Sequence, residues 1–382
     1  MAGSTLASLR RLWFNVHLWI GLILFVFLVA LGLSGTALAW RPQLDRLLHP
    51  ARYEVSQTGS SLSPSAYLAA ASTALGPDVS PSRMTFSATP GGPVAVMGFG
   101  AGAPGGRPAL TSVWLDAADG HVLDKGPLLG GVLGLAHDVH EEMLIPGVGR
   151  QVVGWLGVAM LIQSLTGLWL WWPRAGGMKT ALAWKRSGFL SMRLHHLVGV
   201  LMMIPLAVMS VTGIWIAFPQ IGQALSGRSA APAGFAARRA EGPRFAPPIA
   251  APRLSADQAV DAASAEGPDG ARVLSIALPM QGPRPAWMVQ LAAPGAERPM
   301  TLRVSDETGE VLGGGPRGPF AGGPPGEGGG RDPLARAMRE IHEGEGGLWW
   351  KLIASLAGIA PALLGTTGLI RWLGSRRKGA AG

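Results

Sequence analysis

Four stretches of this chain are long, apolar and free of charged side chains, and very few folds accommodate that pattern. They cover residues 12–40, 151–173, 194–218 and 352–370. Each is close to the roughly 20 residues that a helix needs to cross about 30 Å of hydrocarbon. With 48% hydrophobic and 14% charged residues, the chain is also too apolar for an ordinary soluble protein. The sequence therefore predicts a membrane all-α bundle of four transmembrane helices.

The basic residues indicate how these helices are oriented. The N-terminus, residues 174–193 and the residues from 371 onward together hold eleven Lys or Arg and no acid. All 23 Asp and Glu lie between the first and second spans or between the third and fourth. The positive-inside rule then predicts a multi-pass protein of the bacterial inner membrane with both termini in the cytoplasm. The net charge of +9 is explained by this topology, and no nucleic-acid partner is expected.

The two acid-containing segments, one between the first and second spans and one between the third and fourth, resemble each other. Each predicts a helix, two strands and a β-hairpin, which together form a small periplasmic α+β module. In the first segment the helix begins near Ser63, and in the second it begins near Leu254. We interpret the chain as an internal duplication of a helix, an outside module and a helix. The predicted division is helices 12–40, 150–173, 194–218 and 349–371, modules 41–149 and 219–348, cytoplasmic loop 174–193 and tail 372–382.

The absence of cysteine limits the cofactors that such a protein can hold. It excludes disulfides, thiolate-bound iron–sulfur clusters and covalently attached haem. A cofactor, if present, is bound by histidine, methionine, carboxylate or packing.

A histidine and a distant glycine recur in register along the four spans. In the first span His17 stands 18 residues before Gly35, and since 18 residues make five helical turns, both lie on one face. The same spacing separates His195 from Gly213 in the third span. The second and fourth spans repeat the pattern, with a histidine on the approach and a glycine near the far end: His140 with Gly167 and His342 with Gly368.

Because successive helices run in opposite directions, each membrane depth receives two imidazoles and two glycines. His17 and His195 lie near the cytoplasmic face, and His140 and His342 near the outer face. Two b-type haems, each with two histidine ligands and a glycine-lined groove for the flat ring, require this arrangement. The alternative is that these residues serve interfacial anchoring and close helix packing. Two neighbours are rival ligands: His137 for the outer haem and His196 for the inner one.

The same residues resemble the PepSY-associated transmembrane family. The likeness is carried by His17 with Gly21, Asp138 to Glu141, Leu165 to Arg174, His195 with Gly199, and Ile341 to Gly344. It implies an inner-membrane protein with PepSY-like outer modules, similar to FoxB-type siderophore reductases. By that likeness His17, His195, His140 and His342 are the haem ligands. Glu141 is a departure, because the family often carries Arg there.

We therefore expect a haem-dependent reductase that passes electrons to a ferric siderophore in the periplasm and releases Fe(II). The electron donor is left open between a cytoplasmic reductant and a membrane quinol. One alternative is a membrane-anchored PepSY sensor or binding protein without enzymatic activity. Another is a permease for iron or a siderophore, although the spans offer few polar side chains besides Gln163 and Ser164.

Overall fold

A computed structural model describes residues 2–56, 62–100, 109–127, 130–172, 189–225, 247–296, 299–316 and 333–380. The α-helices, in chain order, are α1 Ala2–Ala39, α2 Arg41–Leu48, α3 Pro64–Leu75, α4 Gly131–Glu142, α5 Gly149–Trp171, α6 Leu190–Ala217, α7 Pro219–Leu225, α8 Ala256–Ala265, α9 Pro333–Glu343 and α10 Leu348–Ala380. The strands are β1 Val79–Thr85, β2 Val94–Gly100, β3 Ala109–Leu115, β4 Val122–Pro127, β5 Arg272–Ala277, β6 Ala286–Ala292, β7 Met300–Ser305 and β8 Val311–Pro316. A short 3-10 helix covers Pro50–Tyr53.

These elements form two compact units. The helical unit comprises Met1–Arg41, Gly131–Ala230 and Arg331–Gly382. The sheet unit comprises Pro42–Gly130 and Ala231–Gly330. Each unit thus combines segments from both halves of the chain.

The helical unit contains four helices that are long and apolar enough to cross a membrane, as predicted. They are Ser8–Ala39 within α1, Gly149–Trp171 (α5), Leu190–Ala217 (α6) and Leu348–Arg376 within α10. Helix α1 packs against α5 and α10, and α6 packs against the same two, so the four helices close into a bundle. Large apolar side chains such as Ile23, Val26 and Ile204 remain about two-thirds exposed on its outside. An apolar exterior of this kind suits contact with lipid.

Two short helices complete the helical unit. Helix α4 packs against α1 and α5, and α9 packs mainly against α6. The sequence pattern placed His140 and His342 on the approach to a membrane helix; in the structure each approach is a helix of its own. Between α4 and α5 the chain reverses through Met143 and Leu144, which both have positive φ angles of 48° and 60°. The reversal lets α4 lie beside the bundle while α5 continues through it.

The sheet unit contains one eight-stranded antiparallel sheet in the order β4-β3-β2-β1-β5-β6-β7-β8. Each half of the chain contributes four consecutive strands. Strand β1 pairs with β5 in the centre, and Met84 lies opposite Ile276 in that register. The two predicted modules are therefore not separate domains, because their first strands join them into one sheet.

The core of this unit lies between one face of the sheet and the helices α3 and α8. Tyr67, Met84, Ile276 and Trp287 are almost completely buried there. Ser63 caps α3 by accepting from the Ala66 N–H, which explains why that helix begins where the sequence predicted. Burial of these apolar groups holds the two halves together as one packed core.

A buried carboxylate anchors the β3–β4 hairpin within the sheet unit. Asp116 accepts hydrogen bonds from the backbone N–H and hydroxyl of Ser56 and from the N–H of Ala118. Burial acts to raise the pKa of Asp116, but these hydrogen bonds outweigh it and hold the pKa below its ordinary value. Asp116 therefore stays ionised and has a structural role.

Candidate functional site

The helical unit brings the four predicted histidines together as two pairs. The ring centroids of His17 and His195 are 6.4 Å apart, with an interplanar angle of 81°. Those of His140 and His342 are 6.0 Å apart, with an interplanar angle of 37°. His17 lies on α1 and His195 on α6, whereas His140 and His342 lie on the short helices α4 and α9.

Each histidine is oriented by a neighbouring helix, and His17 shows how. Its Nδ1 lies 2.9 Å from the Oγ1 of Thr166. The Thr166 hydroxyl donates to the carbonyl oxygen of Ile162, so its oxygen is available to accept the proton on His17 Nδ1. The network thus assigns the proton to Nδ1 and leaves the Nε2 lone pair of His17 available for a ligand.

The other three histidines repeat this arrangement: each lies near a Ser or Thr that directly precedes one of the motif glycines on a different helix. His195 Nδ1 lies 3.0 Å from both Leu364 O and Thr367 Oγ1. His140 Nδ1 lies 2.9 Å from Leu31 O and 3.4 Å from Ser34 Oγ, and His342 Nδ1 lies 2.9 Å from Thr212 Oγ1. Hydrogen bonds between helices in membranes contribute only about 0.6 kcal/mol each on average, so their main effect here is to fix ring orientation.

Each of the four motif glycines makes room for the ring of a histidine on another helix. A Cβ on Gly35 would lie 2.6 Å from Cε1 of His140, and a Cβ on Gly213 would lie 3.0 Å from Cε1 of His342. The corresponding distances are 3.3 Å from Gly167 to His17 and 3.7 Å from Gly368 to His195. The sequence interpretation assigned these glycines to clearance for a cofactor ring. In the structure they contact the histidine side chains. Clearance for a cofactor ring stays a prediction.

The separation of the rings suits two ligands on opposite sides of one metal ion. With metal–nitrogen bonds of about 2 Å, two opposed imidazoles place their ring centroids about 6 Å apart. Both observed separations agree with this value. Each pair therefore has the ring separation at which two imidazoles could bind one metal ion between them.

Neither pair has a third ligand from the part of the chain that the structure describes. There, the one group of three His, Asp or Glu side chains close enough to share an ion is Asp116, Asp119 and His121, in the sheet unit. A bare zinc ion usually takes four ligands and a calcium ion six to eight. A site with two imidazoles fits a metal that brings its own equatorial ligands, and haem iron is such a metal.

The pair on α4 and α9 is neutral near pH 7. Burial lowers the pKa of His140. Burial, together with the neighbouring His140, lowers the pKa of His342 to about 4. A neutral imidazole is the form that binds a metal, so the protonation state of this pair also fits ligation.

The two rival histidines lie beside the pairs. His137 is partly exposed, with Nδ1 3.4 Å from a carboxylate oxygen of Asp138 and Nε2 3.5 Å from one of Glu141. His196 follows His195 on α6, but the ring that faces His17 is that of His195. The structure thus groups the four residues that the repeat had selected.

Sequence reasoning missed the acceptors that orient the rings. Every glycine of the motif is preceded by Ser or Thr, namely Ser34, Thr166, Thr212 and Thr367. That regularity was visible as a repeat, but its hydrogen-bonding role required knowing which helices are neighbours.

These features define a class of protein: four helices long and apolar enough to cross a membrane, two partly buried histidine pairs, and a separate antiparallel sheet region. The chain belongs to the family of the PepSY-associated TM region, whose model matches residues 14–375. A search of curated proteins finds no match to the chain.

Proposed function

We propose that this protein is a di-haem b-type membrane reductase that carries electrons across the membrane to a ferric siderophore. The observation that carries the proposal is the geometry of the two histidine pairs. In each, two rings lie about 6 Å apart with Nδ1 engaged, and within the described ranges of the chain no third side chain is placed to complete a bare metal site. The lack of cysteine restricts the haem to a type held without thioether bonds.

The residues have separate tasks in this proposal. His17 and His195 would hold one haem, and His140 and His342 the other. The Ser/Thr hydroxyls and backbone carbonyls keep each imidazole in the tautomer that presents Nε2. When bound, each haem would supply a one-electron Fe(III)/Fe(II) couple.

The two sites lie at opposite ends of the hydrocarbon region. His17 and Gly35, which contacts the His140 ring, are 18 residues apart on α1. At 1.5 Å per residue this separation is about 27 Å, close to the thickness of the bilayer core. The positive-inside pattern supports placing the His17–His195 pair at the cytoplasmic side. Electrons would enter there, from a cytoplasmic reductant or a quinol, and leave at the periplasmic side.

The proposed acceptor follows from the family and from the chemistry of iron. The membership of the chain in the PepSY-associated family supports the likeness to FoxB-type siderophore reductases. Siderophores hold Fe(III) through hard oxygen donors, and reduction to Fe(II) weakens that binding. A reductase facing the periplasm would release iron without destroying the chelator.

Vesicles loaded with a reductant provide the test. We expect purified protein in sealed vesicles, with dithionite inside and a ferric trihydroxamate outside, to produce Fe(II) outside, read with an Fe(II)-specific chelator. The variant with both His17→Ala and His140→Ala should fall to the rate of protein-free vesicles. If wild-type protein with two bound haems also gives only that background rate, the proposed reductase activity is wrong.

A further inference from the structure

The turn that joins α4 to α5, residues 143–148, carries exposed apolar side chains. The side chains of Leu144, Ile145 and Val148 are 55%, 43% and 52% exposed. Contact of apolar groups with water is unfavourable, and a cluster of them on a surface often marks an interaction site. The α4–α5 turn is therefore a candidate interaction surface.

The backbone of this turn adopts a conformation that glycine favours, although the residues concerned are large. Met143 and Leu144 have φ angles of 48° and 60°, a region that residues with a Cβ rarely adopt. In the turn between α9 and α10 the positive φ angles belong to Gly344 and Gly347. The α4–α5 turn thus keeps large apolar side chains in a conformation for which the second copy of the repeat uses glycine. This difference indicates that the side chains themselves have a role.

The backbone amides of the turn are suited to a poorly hydrated environment. The N–H groups of Met143, Leu144 and Ile145 donate to carbonyl oxygens of residues 138–142, and that of Gly149 donates to Ile145. Amides that lie against lipid must be satisfied within the protein, because hydrocarbon offers no hydrogen-bond partner. These four amides meet that requirement.

The depth of the turn follows from His140, which lies three residues before it. His140 Nδ1 lies 2.9 Å from the carbonyl oxygen of Leu31, and the His140 ring lies against Gly35. Gly35 and Leu31 lie four and eight residues before Ala39, where α1 ends, which is about 6 and 12 Å at 1.5 Å per residue. The C-terminal end of α4 therefore lies beside the last turns of the membrane span Ser8–Ala39.

The exposed side chains of the turn continue the outer apolar surface of the bundle. Val148 precedes Trp155 by seven residues, about two helical turns, so both lie on one side of α5. Trp155 is 65% exposed within the membrane span Gly149–Trp171. Just before the turn, the carboxylates of Asp138 and Glu141 on α4 are also exposed. The turn thus lies between a charged surface and an apolar one, as an interfacial segment does.

We propose that the α4–α5 turn is a membrane-surface anchor. Its apolar side chains insert at the boundary between lipid headgroups and acyl chains, on the membrane face nearer the His140–His342 pair. Interfacial segments lie about 5–10 Å into that boundary. The anchor holds the C-terminal end of α4, and with it His140, against the bundle. The inference does not depend on the proposed haem.

Fluorescence quenching in lipid nanodiscs tests the inference. Because the chain has no cysteine, a single introduced cysteine can carry an environment-sensitive fluorophore. We place it by Leu144→Cys in the full-length protein, in nanodiscs of phosphatidylethanolamine and phosphatidylglycerol. A lipid with a nitroxide at a shallow position of the acyl chain should quench this label more than a nitroxide near the chain end or aqueous iodide. Ile145→Cys, where the backbone is not left-handed, should give the same order.

Two matched variants provide the references for this measurement. Val26→Cys, 69% exposed on α1, should be quenched most by the deep nitroxide, and Val122→Cys, 44% exposed on β4 of the sheet unit, by iodide. The inference is overturned if the labels at 144 and 145 behave like the label at 122. Shielding of both labels from all three quenchers would show that protein covers the turn, and would overturn the inference as well.

Discussion

Replacing His17 by alanine is expected to remove one of the two haems and to leave the other in place. With one imidazole of the pair deleted, His195 alone cannot hold a six-coordinate iron. The remaining haem should persist because its ligands, His140 and His342, are oriented by Ser34 and Thr212 at the other end of the bundle. Haem content measured per polypeptide should fall from two to one, and Fe(II) production in vesicles should fall to background.

Neighbouring histidines provide matched controls for this result. His196→Ala and His137→Ala remove an imidazole next to each pair, and both variants should keep two haems. The pairing would be contradicted if His17→Ala kept both haems, or if His137→Ala lost one while His140→Ala did not.

When each of the four motif glycines is replaced by alanine, the loss of haem should increase as the distance from the added Cβ to the histidine ring decreases. A Cβ added at each glycine would lie closest to the histidine ring at Gly35 (2.6 Å), then at Gly213 (3.0 Å), Gly167 (3.3 Å) and Gly368 (3.7 Å). Overpacking a tight contact costs about 1–3 kcal/mol, whereas 3.7 Å is an ordinary contact distance. We expect Gly35→Ala to lose the His140–His342 haem almost completely and Gly368→Ala to retain both, as measured by haem content.

Helix propensity makes this series a sharp test. Alanine favours a helix over glycine by up to about 1 kcal/mol, so the substitutions do not weaken the helices themselves. Gly374→Ala is the matched control, because nothing lies within 4 Å of that position on α10. Equal haem content in all five variants would show that the glycines do not make room for the histidine rings.

The helical unit was largely predictable from the sequence. The four spans were predictable from the length of their apolar stretches and from the absence of charged side chains. The bilayer imposes both features on any helix that crosses it. The 18-residue spacing from His17 to Gly35 and from His195 to Gly213 placed the ring and its glycine contact on one face of each helix. Helix geometry, together with the opposite direction of successive helices, predicted which histidines share a depth.

Two aspects depended on contacts between distant segments and were not predictable. The central pairing of β1 with β5, with Met84 opposite Ile276, joins strands about 190 residues apart, and alternating apolar residues do not specify which edges meet. The acceptors of the imidazole protons, such as Thr166 for His17, lie on other helices.

The most direct test of the central claim is a reduced-minus-oxidised visible spectrum of the purified protein in detergent, with haem quantified per polypeptide. The paired histidines predict sharp low-spin b-type bands and about two haems per chain. A well-folded preparation that binds no haem would contradict the account. The histidine and glycine register would then serve helix packing, and a membrane-anchored sensor or binding protein would be the better interpretation.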